Sequence, residues 1–416
     1  MELATALNGN DCLKRPILLL AYYYLPATTS GVQRAGRFAR YLPRAGYPTF
    51  VVSSLFAGPS GLPDVVHVPA DNTGSSLAGQ LAAGIQRFLP YNEQLPWVPN
   101  VIAAAERLIR DHGISAVIST SPPVGAHFAA LWLKRRHGLR WIADFRDPIV
   151  GNPGRPRRWA RPYDRIIERG IFHSADAVLT VTDVIRDQCR ERYPRLAKNI
   201  HTLWNGFDPE EAMGPAPIPP RPYRVLAHVG ILYGPRQPTS LLDSFERLIA
   251  QGRINPADVR IRLVGSIQNE ESFLAYPALR SLRQRGCIEI CPNTIPRADA
   301  LREIATADFL LLLDVADLQN GGYAVPAKLH DYMRAGRPIL AITPQDSPVH
   351  RILDRSGVPY ACVHPTDPPE AIDGKLLEFL ALTSEPVTPS EWYLDHFDGQ
   401  RLTAQVASML DDLLSG

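Results

Sequence analysis

The sequence predicts an α/β protein built from two doubly wound, Rossmann-like domains, and three observations carry that expectation. A chain of 416 residues exceeds what a single core usually supports. Short apolar runs alternate with amphipathic stretches along nearly its whole length, the pattern of parallel strands covered by helices on both faces. Residues 214–223 (GPAPIPPRPY) contain five prolines, which exclude helix and sheet interior and divide the pattern in two.

Residues 1–15 read as a loose tail. Residues 17–24 (ILLLAYYY) read as a central strand, followed by a loop of small residues and a helix over 33–42. Strand, turn and helix in that order begin a nucleotide fold. No G-x-G-x-x-G occurs, so Gly31 is a single glycine for a phosphate nest, and Arg34 and Arg37 fit that site or a solvated helix face equally. Strands at 49–53, 116–119 and 141–145 then alternate with helices near 98–112 and 125–137. Two polar loops follow the last two strands, Ser119-Thr120-Ser121-Pro122-Pro123 and Asp144-Phe145-Arg146-Asp147-Pro148. Ligands of open α/β sheets gather at the carboxyl ends of strands, which makes these loops site candidates. Helix capping and an internal Arg–Asp pair are their alternative uses. His127 falls near the same rim, as a structural or a catalytic residue. Residues 155–169 interleave Arg155, Arg157, Arg158, Arg161, Arg165 and Arg169 with Trp159 and Tyr163, a composition suited to an anionic membrane surface or to a solvated helix. Strands at 177–181 and 199–203 complete a first domain over 16–213.

After the linker, a second domain over 224–388 begins with a strand at 224–229 and a loop ending in Arg236. Strands at 260–264, 288–291, 309–313, 339–342 and 360–363 follow, mostly with helices between them. Its centre is 320–338 (NGGYAVPAKLHDYMRAGRP), where Gly321, Gly322 and Pro326 open a helix that Gly336 closes. The first turn of such a helix has unpaired amides and a positive dipole end, which suits a phosphate. Lys328 and Asp331, three apart on one face, supply a cation for a phosphate and a carboxylate for sugar hydroxyls, or else a surface salt bridge. Residues 389–416 form a crossover segment ending in a helix near 399–414.

Composition narrows the function. A formal net charge of +2 argues against a dedicated nucleic-acid binder, and 45% hydrophobic with 21% charged residues is ordinary for a globular chain. Five scattered cysteines without a C-x-x-C pair suggest reduced thiols, hence a cytoplasmic protein, and Cys287 and Cys291 lack further ligands for a zinc site. No signal peptide is evident, and the longest apolar run is too short to span a bilayer, so any membrane contact is expected to be peripheral.

Several strings, in order, resemble the GT-B type of glycosyltransferase with a family-4-like amino-terminal domain. They are LLLAYYYLP with Ser30-Gly31-Val32-Gln33-Arg34, the Ser119–Pro123 string, WIADFRDP at 141–148, NGFD at 205–208 and VPAKLHDY at 325–332. The resemblance covers about residues 15–414. It implies two Rossmann-like domains facing across a catalytic cleft, the last helix crossing back to the first domain, and transfer of a sugar from a nucleotide-sugar donor with retention. It places Gly31, Arg236, Gly321, Gly322, Lys328 and Asp331 on the donor. Arg236 and Lys328 would meet the diphosphate, and Asp331 the ribose. Asp144, Arg146, Asp147 and His127 fall on the acceptor side, with Arg146 standing where many relatives have a histidine. The first acid of the family's paired-glutamate motif is replaced by Tyr323, which puts the donor sugar in question. No D-x-D motif occurs, so chemistry without a metal or a separate cofactor is expected. The acceptor would be a sugar, a lipid-linked molecule or a small molecule. A nucleotide-sugar epimerase on the same architecture and a non-catalytic binding subunit are the competing readings.

Overall fold

The computed structural model describes residues 14–27, 31–55, 57–70, 77–152, 154–214, 216–232, 237–314 and 325–415. Two compact units emerge, one of residues 1–208 with 399–416 and the other of residues 209–398. Each is a parallel sheet covered by helices.

In the first unit the elements run β1 Ile17–Ala21, α1 Gly31–Arg44, β2 Thr49–Ser54, β3 Val65–Val68, α2 Leu77–Phe88, α3 Trp97–His112, β4 Ala116–Ser121, α4 Gly125–His137, β5 Arg140–Phe145, α5 Arg161–Ser174, β6 Ala177–Thr180, α6 Asp183–Arg192 and β7 Ile200–Thr202. The strand order β3-β2-β1-β4-β5-β6-β7 reverses at β1, which creates a switch point between β1 and β4. All five residues of β1 are fully buried, as the apolar run demands.

The second unit runs β8 Arg224–Val229, α7 Thr239–Ala250, β9 Val259–Val264, α8 Glu270–Leu274, α9 Pro277–Gln284, β10 Ile288–Cys291, α10 Arg297–Ala305, β11 Phe309–Leu313, α11 Lys328–Ala335, β12 Ile339–Ile342, α12 Pro348–Ser356, β13 Tyr360–Val363, α13 Pro369–Leu380 and α14 Glu391–Phe397. Its order, β10-β9-β8-β11-β12-β13, reverses at β8. The last helix, α15 Gly399–Ser415, returns to the first unit. Leu402, Val406 and Leu410 of α15, four apart, join Ala35, Phe38 and Leu42 of α1 in one core. A buried leucine contributes about 1.5–3 kcal/mol, so this stripe accounts for the helix's return.

Several boundaries differ from the sequence reading. β1 ends at Ala21, three residues early, and Tyr22 and Tyr24 are buried just beyond it. β4 runs on through Ser121, so the serines and Thr120 are strand residues, and α4 begins without a side-chain cap. β3 and α2 were not expected at all. The proline-rich stretch packs with the second unit, where the buried Arg337 donates to Ala216 O at 2.6 Å.

Candidate functional site

In the second unit, the carboxyl end of β8 holds a lysine. His228, fully buried, has Nδ1 2.9 Å from Leu311 O on the neighbouring strand. A carbonyl only accepts, so Nδ1 carries the proton and Nε2 is left as an acceptor. Lys328 Nζ lies 3.0 Å from that Nε2 and donates to it. Gly230, two residues on, sits directly against the ammonium: a Cβ there would lie 2.4 Å from Lys328 Nζ. Its φ of +140° is a backbone conformation open chiefly to glycine. Gly265, at φ +129°, permits the next close approach, since its Cβ would meet Gly230 O at 2.5 Å. Tyr332, completely buried, accepts a hydrogen bond from Val229 N at 2.9 Å and so locks α11 to β8 independently of the lysine. The result is a cation at the start of α11, oriented at the carboxyl end of a central strand. The Leu329 and His330 amides donate to Pro326 and Ala327 carbonyls, which leaves the helix dipole and the Lys328 ammonium as the attraction for an anion.

Asp331 points elsewhere than expected. Both its oxygens accept from Arg297 at 2.7 Å, and Arg297 also grips Glu211 through two hydrogen bonds at 2.8–3.0 Å. Burial works against the Arg297 charge, but its hydrogen bonds to Asp331 and Glu211 outweigh it and hold the pKa above the ordinary value. Arg334 adds bonds to Glu211 O and Met213 O. Arg297 and Arg334 thus anchor residues 211–213 onto α10 and α11, and Asp331 takes part through its pairing with Arg297. Arg236, Gly321 and Gly322 lie outside the described residues.

The first unit has its own charged end. Arg146 follows β5, donates through Nε to Ser121 O at 3.0 Å and through Nη2 to Pro122 O at 2.9 Å, and so bridges the ends of β4 and β5. Gly31, the first residue of α1, lies beneath it, where a Cβ would meet Arg146 Nη1 at 2.3 Å. Two residues far apart in sequence thus meet where a guanidinium and a helix amino end reinforce one another toward an anion. Asp147 lies half-buried beside them.

Asp144 belongs to the layer below. It is fully buried and accepts from Arg34 Nη2 at 2.5 Å and from Thr120 Oγ1 at 2.8 Å, so its expected acceptor-side role gives way to an internal ion pair. The register that sets Thr120 opposite Asp144 explains that contact. Arg34 also donates to Leu203 O at 2.7 Å, and Arg37 donates to Gly206 O at 2.5 Å. Neither is a solvated helix charge: the arginines of α1 clamp the Asn205–Asp208 string.

His127 is likewise a core residue, on the opposite face of β4 and β5. The Trp141 indole N–H donates to Ser119 Oγ at 2.8 Å, leaving the Ser119 hydroxyl to donate to His127 Nδ1 at 2.7 Å. Desolvation, reinforced by the Arg146 charge, lowers the His127 pKa from 6.5 to about 3 and keeps the ring neutral. Its Nε2 is buried and has no hydrogen-bond partner among the described residues. An acceptor-side contact is closed to a side chain so enclosed.

His228 and Gly265 escaped the sequence reading. A lone histidine in the apolar run RVLAHV was the available signal.

Residues 29–206 match the glycosyl transferase 4-like domain. A comparison with curated proteins finds no match. Among solved structures, Anabaena HepE in complex with UDP superposes with a TM-score of 0.64 at 14% identity, over 96% of this chain and 100% of that one. Sucrose-phosphate synthase from Thermosynechococcus elongatus gives 0.62 at 12% identity, over 97% and 100%. The UDP-GlcNAc 2-epimerase from Methanocaldococcus jannaschii gives 0.54 at 10% identity, over 96% and 100%. The two-domain GT-B fold expected from the sequence is the one found.

Proposed function

We propose, from the premise that residues 29–206 are a glycosyl transferase 4-like domain in a chain of GT-B fold, that the protein moves a sugar from a nucleotide-sugar donor to an acceptor hydroxyl. The observation that carries this reading is the Lys328 ammonium, held by His228 and seated against Gly230 at the end of β8. Breaking a sugar–phosphate bond leaves negative charge on the departing diphosphate, and a preorganised cation there lowers the barrier. His228 keeps Lys328 aimed, because its Nε2 lone pair accepts from the ammonium.

Gly31 and Arg146 form a second anion-favouring point in the first unit, which suits a phosphate or the developing charge of the reacting partners. Asp144 and Arg34 hold that region's frame. The Lys328 ammonium as counter-charge to the leaving diphosphate supports turnover without a divalent ion. Retention is proposed through attack from the leaving-group face, a diphosphate oxygen taking the acceptor proton, with no protein nucleophile. The setting we propose is bacterial polysaccharide, glycolipid or glycoconjugate synthesis, with a sugar, a lipid-linked intermediate or a small molecule as acceptor. UDP-sugars are the first donors to try, since HepE was solved with UDP.

The test begins with thermal stabilisation by UDP-, GDP- and dTDP-sugars, because a bound ligand raises apparent stability by mass action. The stabilising donor is then incubated alone and with an acceptor panel, with and without EDTA. Acceptor-dependent release of nucleoside diphosphate that EDTA leaves unchanged supports the proposal. An epimerised donor in the absence of acceptor would replace it with the epimerase reading, and donor binding without turnover across the panel would replace it with a binding subunit.

A further inference from the structure

Helix α2 is built the wrong way round for a helix that only packs inward. Apart from Gln86, its buried or half-buried residues are the small ones Gly79, Ala82, Ala83 and Gly84, and α3 is its neighbour. Gln86 fixes this orientation, donating to Tyr91 O at 2.8 Å and accepting from Glu93 N at 3.1 Å and Leu95 N at 3.2 Å. The large apolar residues face outward instead: Leu77 is 84% exposed, Leu81 67%, Ile85 47% and Phe88 89%. Spaced four, four and three apart, they make one stripe along the helix. A contiguous exposed stripe of this kind marks an interaction surface, whereas scattered apolar residues do not.

Its neighbourhood is cationic by construction. Arg155 and Arg157 turn inward and clasp the segment that follows α2. Arg155 lies 4.0 Å over the Tyr91 ring and pairs with Glu93 at 2.7 Å, while Arg157 donates to Pro90 O. That clasp brings the start of α5 beside the end of α2. On α5 the two carboxylates are buried, Asp164 paired with Arg155 and Glu168 with Arg192. Arg158, Arg161, Arg165 and Arg169 are all exposed, and none makes an ion pair among the described residues. Trp159, 69% exposed, and Ile166, 70% exposed, stand among them. The only charge on α2 itself is Arg87.

We infer that α2 lies in the surface of an anionic lipid bilayer, with Leu77, Leu81, Ile85 and Phe88 entering the acyl boundary and Arg158, Arg161, Arg165 and Arg169 meeting the headgroups. Charge complementarity selects this occupant: an apolar stripe beside a face stripped of acidic groups matches a negatively charged, apolar-cored surface. The arginine-rich stretch first read as the docking patch supplies only the rim, since two of its members hold α2 in place.

Vesicle co-sedimentation without nucleotide sugar tests this separately from the catalytic reading. The wild type is expected to pellet with phosphatidylcholine vesicles containing phosphatidylglycerol and not with phosphatidylcholine alone, and to be partly released by salt. Arg161→Gln/Arg165→Gln/Arg169→Gln should weaken binding on the order of a hundredfold. Leu77→Ser/Leu81→Ser/Phe88→Ser should remove the salt-resistant fraction while thermal unfolding stays unchanged. Wild-type protein left in the supernatant at low salt would overturn the inference. So would unchanged binding by the serine variant, or a dimer seen by light scattering that the serine variant dissolves while no vesicle binds.

Discussion

Replacing Gly230 by alanine perturbs the Lys328 ammonium without touching its charge. Two costs are separable. A φ of +140° strains any residue with a Cβ, worth about 1–3 kcal/mol. The methyl would also sit 2.4 Å from Lys328 Nζ and 2.8 Å from Cε, so the ammonium must retreat by roughly 1 Å to ordinary contact. Misplacing a group by that much typically costs about a hundredfold in rate. Gly252→Ala is the matched control, because Gly252 has φ +69° with nothing within 4 Å of a Cβ. Both variants should lower the thermal midpoint by roughly 2–12 °C, since 1 kcal/mol shifts a unit of this size by about 2–4 °C. Acceptor-dependent nucleoside diphosphate release should fall about a hundredfold in Gly230→Ala alone. A folded Gly230→Ala with wild-type turnover would refute the placement of the lysine.

Other expectations follow from the same contacts. Arg34→Met leaves the Asp144 carboxylate buried and unpaired, and should cost about 3–5 kcal/mol in urea unfolding, whereas a loss under about 1 kcal/mol would make the pair a surface-like contact. Arg146→Lys keeps the charge but gives up the hold on Ser121 and Pro122 carbonyls, so kcat/KM should drop about tenfold or more with little change in stability, and an unchanged value would remove Arg146 from the site. His127 links stability to pH. The unfolded chain protonates this ring below about 6.5 while the folded one stays neutral down to about 3, so the unfolded state binds more protons and stability falls as pH drops through that window. At pH 5 this amounts to about 2 kcal/mol relative to pH 7, and His127→Gln should lack that component of the acid sensitivity.

Much of the fold was legible because its signals are local. The apolar runs that became β1, β8, β11 and β12 needed only to be counted, and Gly336 closes α11 at φ +66° where the sequence placed the stop. Lys328 was legible as a cation at a helix start. Its holder was not, because His228 lies 100 residues away and acts only through the β8–β11 pairing. Asp331 has a holder of the same kind: the resemblance gives it the ribose, while the bidentate grip of Arg297 comes from α10, 34 residues away, beyond the reach of helical spacing. Asp144 looked like a site acid because its partner, Arg34, is brought to it by the β1–β4–β5 order. Helix α2 was missed because its large apolar residues mark the solvent side, which inverts the rule by which a core face is read.

The central claim is that Lys328 stabilises a departing diphosphate, and Lys328→Ala tests it most directly. With the nucleotide sugar that best stabilises the wild type, the variant should unfold near the wild-type temperature, because Tyr332 still ties α11 to β8. Its kcat for acceptor-dependent nucleoside diphosphate release should fall about a hundred- to a thousandfold, or about 2.7–4 kcal/mol. A folded Lys328→Ala that turns over within about twofold of wild type would contradict the account.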